Sequence, residues 1–378
     1  MPTKSQQTDL FAGQPLEFEL NGVVLPDDHS VYKLFPGKTY RLANVMRESS
    51  FAFLDIHGLD RLAGQPAEWS DDDLLRTISL DRVLRSGTAK APGKRRRRGS
   101  EQDKKRLGFL KNLFFVAKKG DLVVVPLGEG YSGQIAIGEL IDDAGVVRKL
   151  TYTANEEITS TFGRRVRWVN TVARYRFSAE LTKSLHSPTA FHPVGFSNHE
   201  EIYVQAYGTF AYKNIFVAKF PTRKEIFNAQ DYANIGVIFN GLSVVHDHIL
   251  ANDLDKDAPF YDLAIEEDGS ATIELTRNSP LSVVVRTVGP LAFSAAIMFS
   301  AAAEGRPLKD LRNITVTARQ VGSATDRCPI EIPPDTSALA TGLGVSRFKT
   351  YCSAQKKLEQ EANVKSPARL KTGGRKAK

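Results

Sequence analysis

The chain has 378 residues, 42% of them hydrophobic and 25% charged, which gives room for two domains with ordinary globular cores. Its only two cysteines, Cys328 and Cys352, have no metal-type spacing; they argue against a disulfide framework and suit a reducing, cytoplasmic setting. The net charge of +8 is concentrated, because residues 90–106 hold nine Lys/Arg against two acids and residues 365–378 hold six against none, so the remainder is mildly acidic.

Residues 1–13 are polar and lack an apolar core of signal-peptide length. Leu16-Glu-Phe-Glu-Leu20 alternates as a half-exposed strand does, and Asn21-Gly22 reads as a tight turn that pairs Val23-Val-Leu25 back as a hairpin. Pro36-Gly37 marks a turn before Tyr40-Arg-Leu42, and residues 50–56 read as a strand. Ser70 followed by Asp71, Asp72 and Asp73 caps a helix expected to reach Leu84. Residues 86–105, with Gly87, Pro92, Gly93 and the run Arg95, Arg96, Arg97 and Arg98, cannot bury apolar surface and are expected as a solvated inserted loop.

Residues 107–116 lead into Leu122-Val-Val-Val125, an apolar run bounded by Gly120-Asp121 and Pro126, which reads as a strand buried on both faces. Ile135, Ile137 and Gly138-Glu139 supply a second strand after the glycine-rich loop 128–133. Val166, Trp168 and Val172 supply a third, with basic residues between its apolar ones. Three short strands with glycine at their corners predict a small closed barrel.

A boundary is expected after Ser187-Pro188, with His186, His192 and His199 nearby. Residues 201–206 and 216–220 read as strands opening a second domain. From Asp231, apolar residues recur at helical spacing as far as Ile249, weakened by Gly236 and Gly241. Asp262-Leu-Ala-Ile265 and Ala271-Thr-Ile-Glu-Leu275 flank Asp268-Gly269 as a hairpin would. Residues 281–286 read as a strand, and residues 291–303 as a buried core helix, too short to span a bilayer. Residues 313–317 read as a last strand and 345–361 as a helix.

The Gly120-Asp121-Leu-Val-Val-Val-Pro126 strand, Ile137-Gly138-Glu139, Arg167-Trp168-Val169 and Phe177-Ser-Ala-Glu-Leu181 with Leu185 resemble the PUA-like (EVE-type) barrel at the front of predicted modification-dependent restriction systems in bacteria. The resemblance spans residues 108–195, about a quarter of the chain. It implies a domain that holds a nucleic-acid strand and takes a base into a pocket, in a setting of defence against foreign DNA, and it implies no catalysis by that domain. The expected fold class is α+β: residues 1–195 with a PUA-like barrel and an inserted basic loop at 86–106, residues 196–363 a mixed docking or effector domain, and residues 364–378 a disordered basic tail.

Arg95, Arg96, Arg97 and Arg98 would neutralise phosphates and release counterions, as would the basic tail, but neither reads sequence. Specificity is expected from the barrel, where Trp168, Tyr152, Tyr131 and Phe115 would stack on an extruded or single-stranded base and Arg164, Arg165 and Arg167 would hold flanking phosphates. The plainer alternative makes Trp168 and Phe115 core residues and the arginines an exposed strand face. Asp121 and Glu139 would accept hydrogen bonds from a base edge or cap strand turns.

His246-Asp247-His248 lies in a helical period, where residues two apart do not share a face, so no metal site is expected. Asp253, Asp255 and Asp257 mimic a calcium loop, but Ala258 stands where that loop needs glycine. A nuclease would need paired carboxylates and a lysine. Glu274, Asp262 and Asp253 are available, but the Glu-x-Lys order is missing, since Lys224 precedes Glu225. No phosphate-loop, nucleophile-elbow or zinc motif occurs. The expected protein is a cytoplasmic binder of DNA or RNA that senses modified or unpaired bases in anti-phage defence, with a protein partner in a defence complex, no cofactor and no membrane span, and more a binder than an enzyme. Two alternatives stand beside it: a metal-dependent nuclease with its site in residues 200–330, and a non-catalytic adaptor subunit.

Overall fold

The computed structural model describes residues 16–85, 100–128, 133–154, 157–187, 189–255, 258–266, 269–276, 282–322, 327–330 and 333–371. The chain is α+β and divides into two bodies, one of residues 28–206 and one of residues 1–27 with 207–378. The barrel-bearing region is therefore an insertion within the other body and not a domain that precedes it. Arg95, Arg96, Arg97, Arg98 and Tyr131 lie outside the described residues.

The first strand, β1 (Leu16–Leu25), belongs to the 207–378 body. The 28–206 body then runs β2 (Val31–Leu34), α1 (Ala43–Ser49), β3 (Phe51–Phe53), α2 (Asp71–Arg85), α3 (Glu101–Lys111), β4 (Leu122–Pro126), β5 (Gln134–Leu140), β6 (Arg148–Ala154), β7 (Glu157–Ala173), α4 (Ala179–His186), β8 (Phe191–Pro193) and α5 (His199–Tyr207). Its strands form a curled half-barrel in the order β3-β7-β5-β4-β2-β8, with β6 paired to β7. Among the described residues of this sheet only β2 and β4 pair in parallel. β4 is buried along its whole length, as its unbroken branched run requires.

The β5–β7 ladder slips at Gly138, which faces Trp168 where Ile137 faces Asn170. A Cβ on Gly138 would stand 2.2 Å from Val166 Cγ1 and 2.8 Å from Trp168 Cε3, so only glycine fits under this bulge.

The expected helix at 70–84 is α2, whose Ser70 hydroxyl accepts from the Asp73 N–H at 3.2 Å. Of the expected solvated loop at residues 86–105, residues 86–99 lie outside the described residues and residues 101–105 are helical. Ser100 and Asp103 form a reciprocal capping box that starts α3 at Glu101, and α3 lays Leu107 and Leu110 on the core beside Leu74 and Ile78. α3 continues through a single π-turn, Asn112–Val116. Residues 201–206, expected as a strand, are helical in α5, where Ile202, Tyr203 and Ala206 are buried at helical spacing.

The other body continues with β9 (Phe210–Tyr212), β10 (Ile215–Pro221), α6 (Ala229–Ile235), α7 (Gly241–Ala251), α8 (Phe260–Glu266), β11 (Thr272–Thr276), β12 (Ser282–Val288), α9 (Leu291–Ala303), β13 (Ile314–Gln320), β14 (Cys328–Ile330), α10 (Pro333–Ala362) and β15 (Ala368–Leu370). Its sheet order is β11-β12-β10-β9-β1-β13-β14, with β15 also on β1.

β1 is one ten-residue strand, not a hairpin. Asn21-Gly22 accommodates a register shift against β13 instead of a reversal. Gly22 is needed for close approach: a Cβ there would lie 2.8 Å from the Thr209 carbonyl oxygen. The buried Phe18, Leu20 and Val23 are what commit β1 to this core.

Residues 262–265, expected as a strand, lie in α8, and β11 pairs with β12. The expected helices are present as α6 and α7, joined by a π-turn, as α9, and as the second half of α10, which bends at Gly344 with φ +60°. The expected disordered tail is partly ordered: Ala368 and Leu370 are buried where β15 pairs with β1. Among the described residues no helix is long and apolar enough to cross a membrane.

Candidate nucleic-acid interface

The structure redistributes the residues singled out from sequence. Arg164 is wholly buried and donates to the carbonyls of Leu113, Ala117 and Asp142, so it ties the π-turn to β7 and cannot reach a phosphate. Arg165 grips the Asp142 carboxylate with Nε at 3.0 Å and Nη2 at 2.6 Å. Arg167 pairs with Glu139 at 2.9 Å. Both keep exposed surface, but each already holds a carboxylate.

Trp168 is half-buried, lies against Gly138, and donates Nε1–H to the Arg47 carbonyl at 3.0 Å, so its ring pins the bulge. Tyr152 packs on Phe53 at 5.1 Å between ring centres; burial first, and the Asp55 charge second, push its hydroxyl up to about 12. Phe115 packs edge-on to Phe114.

Asp121 caps the turn into β4 by accepting the N–H groups of Ser30 at 2.9 Å and Lys118 at 2.7 Å; burial nevertheless raises its carboxyl to about 6. Glu274 pairs with Arg286 at 3.1 Å, and His248 with Asp253 at 2.8 Å. Among the described residues no group of three or more His, Cys, Asp or Glu stands together as a metal cage.

The cationic concavity lies elsewhere in the same body, at residues the sequence reading passed over. A hollow of about 780 Å³ is lined by Phe35, Lys38, Thr39, Arg82, Arg85, Gln102 and Arg106. A recess of about 80 Å³ beside it shares Phe35 and Arg106 and adds Leu54, Asp55, Ile56, Phe109 and Ala190.

Three local devices build this wall. Arg82 and Arg85 occupy the last turn of α2, where cations suit the negative end of the helix. Gln102 and Arg106 stand on α3, set by its capping box. Lys38 rides a loop in which Gly37, Thr39 and Tyr40 all have positive φ, at +83°, +55° and +56°. Two consecutive non-glycine residues in that region are strained, and such strain collects at binding and switch sites.

Behind the wall sits a network of carboxylates. Asp81, wholly buried, accepts from Arg85 Nε at 2.9 Å, from Arg106 Nη2 at 2.6 Å, and from the His57 backbone N–H at 2.9 Å. Arg85 reaches on to Asp55, which also pairs with Arg41. Asp103, also buried, holds Arg82 Nε at 3.0 Å. Burial pushes the Asp81 carboxyl up, but the His57 N–H and the guanidinium bonds outweigh it and leave it below the ordinary carboxylate value; Asp55 and Asp103 are lowered against the same opposition.

The carboxylates leave donors unspent. Among the described residues, Lys38 Nζ, Arg82 Nη1, Gln102 Nε2, and Arg106 Nε and Nη1 have no protein partner. The network therefore holds guanidinium planes in fixed positions while part of the Arg82 and Arg106 forks still faces a ligand-sized space. α2 ends at Arg85 and α3 begins at Glu101, so the described residues on either side of the 86–99 segment both stand at this wall. Arg82 and Arg85, three apart in the last turn of a capped helix, carry a local signal of a shared face, but Arg106 lies mid-helix in α3 and only the packing of α2 against α3 brings the three together. No family model, curated protein or solved structure matches this chain.

Proposed function

We propose that this protein binds nucleic acid through the hollow of its 28–206 body, with phosphates on Lys38, Arg82 and Arg106 and a base against Phe35. The carrying observation is the set of partnerless cationic donors lining a hollow of about 780 Å³. Nucleic acid suits it because fixed guanidinium forks match phosphate geometry and Phe35 offers a π-face beside them.

The four arginines at 95–98 lie in the segment between α2 and α3 in sequence and would add sequence-independent charge to this binding. A modified or unpaired base is the preferred guest because it costs less to unstack. Defence against foreign DNA is the setting, an inference carried by the resemblance of residues 108–195 to EVE-type barrels.

The test is a salt series of fluorescence anisotropy on the full chain with single- and double-stranded DNA and RNA, modified and unmodified. Lys38→Glu combined with Gln102→Glu changes two exposed side chains and should leave folding intact. Binding should weaken about tenfold or more and the salt slope should flatten by about one to two phosphates' worth. Unchanged affinity and slope in the double variant would overturn the assignment.

A further inference from the structure

The unspent donors come from three elements and surround one space. Lys38 approaches from the strained loop, Arg82 from the end of α2, and Gln102 and Arg106 from the first half of α3. A groove that tracks the middle of a strand sets its cations in file so that successive phosphates are met one after another. Here they converge. An internal phosphodiester brings one negative charge, whereas a terminal phosphate brings nearly two at neutral pH and three accepting oxygens. Convergent donors around a single hollow match the second.

We infer that the hollow takes the phosphomonoester end of a nucleic-acid strand, with Arg106 and Arg82 on the terminal oxygens and Phe35 against the end base. This rests on the nucleic-acid reading and specifies which part of the strand enters. Arg85 does not meet the phosphate. It is a positioning residue whose Nε, Nη1 and Nη2 are spent on Asp81, on Asp55 and its carbonyl, and on the His57 ring.

The experiment compares one single-stranded sequence carrying a 5′-phosphate, a 3′-phosphate or hydroxyls at both ends, titrated against the full chain at pH 7.5 and pH 5.5. One of the two phosphorylated strands should bind about tenfold tighter than the hydroxyl strand at pH 7.5. That preference should shrink at pH 5.5, where a phosphomonoester gains a proton. In Lys38→Glu, and separately in Arg106→Gln with its fold checked by thermal unfolding, the preference should fall to about twofold or less.

If all three strands bind alike while Lys38→Glu weakens each of them, end recognition is overturned and nucleic-acid binding stands. If no strand binds, both readings fall. If a preference for a phosphorylated end persists unchanged in both variants, the end is held elsewhere and the assignment to this hollow is overturned.

Discussion

The two bodies of this chain differ in how much charge they bury: the 207–378 body sinks Asp231 and Arg347, and the 28–206 body sinks several more. The body of residues 1–27 and 207–378 is organised by α9, in which every residue from Leu291 to Ala301 is buried and which meets Phe216, Phe220 and Phe239 across a core of aromatic and aliphatic side chains. The 28–206 body also has an apolar core, but it sinks Asp81, Asp103, Asp121, Asp142 and Arg164 beneath its surface and partners them. Buried ions contribute little net stability, yet they fix where the charged groups above them stand. A core of apolar area confers stability, and a core of paired charge confers position, which is what a ligand-binding wall needs.

The contrast can be broken at its apolar end first. Phe299→Ala removes a ring packed against Phe220 and stacked with Phe239 and should cost about 4 kcal/mol by chemical denaturation, through lost transfer energy and a residual cavity. It should leave the affinity of the remaining folded protein for nucleic acid unchanged; a parallel loss of affinity would erase the division of labour. Asp81→Ala should cost about 3 kcal/mol, because it strands Arg85 and Arg106 beside an emptied site. Unlike Phe299→Ala it should also weaken binding, since Arg106 then loses its anchor; full affinity after this change would show that the network does not position the wall.

The third comparison is within the 28–206 body and is read by pH. His29 Nδ1 lies 2.8 Å from the Tyr203 hydroxyl and Nε2 lies 3.0 Å from the Gly120 carbonyl, and burial lowers its ring from 6.5 to about 4. Its neutral form is the folded form. The stability it permits is complete above pH 6.5 and falls away as pH drops toward 4, by about 2 kcal/mol between pH 6.5 and 4.5.

Asp121 works in the opposite sense. Burial raises its carboxyl from 3.8 to about 6, so its cost appears as pH rises through 6 and is relieved on acidification, by about 2 kcal/mol over the same interval. The wild-type stability should therefore be nearly flat between pH 6.5 and 4.5. Asp121→Asn should uncover the His29 slope and lose about 2 kcal/mol in that window, and a flat profile in the variant would refute the pairing.

Much of the local structure was legible. The branched run in β4, the capped acids of α2, the all-apolar α9 and the helical period through α6 and α7 follow from side-chain shape, end charges and periodicity, which act over a few residues. The misreadings share a cause. Asn21-Gly22 has the residues of a tight turn, but Gly22 serves the approach of Thr209. Residues 201–206 alternate well enough for a strand, yet Ile202, Tyr203 and Ala206 bury as a helix.

The site was legible only as ingredients. The arginines marked from sequence, Arg164, Arg165 and Arg167, are alternate or adjacent on β7 and are taken up by carbonyls and carboxylates from other segments. Those that line the hollow, Arg82 and Arg106, sit more than twenty residues apart on helices that meet because Ile78 and Leu107 share a core.

By itself the sequence determined the α+β character, the strands and helices with strong periods, the uneven basic charge and the absence of any compact catalytic motif, because each of these depends on composition or on near neighbours. Tertiary structure alone decided that residues 16–27 join the 207–378 body, that residues 368–370 are a strand, and which arginines keep donors to spare. Strand partnership and the pairing of charges are set by groups that meet across long stretches of chain, and no local pattern records who the partner is.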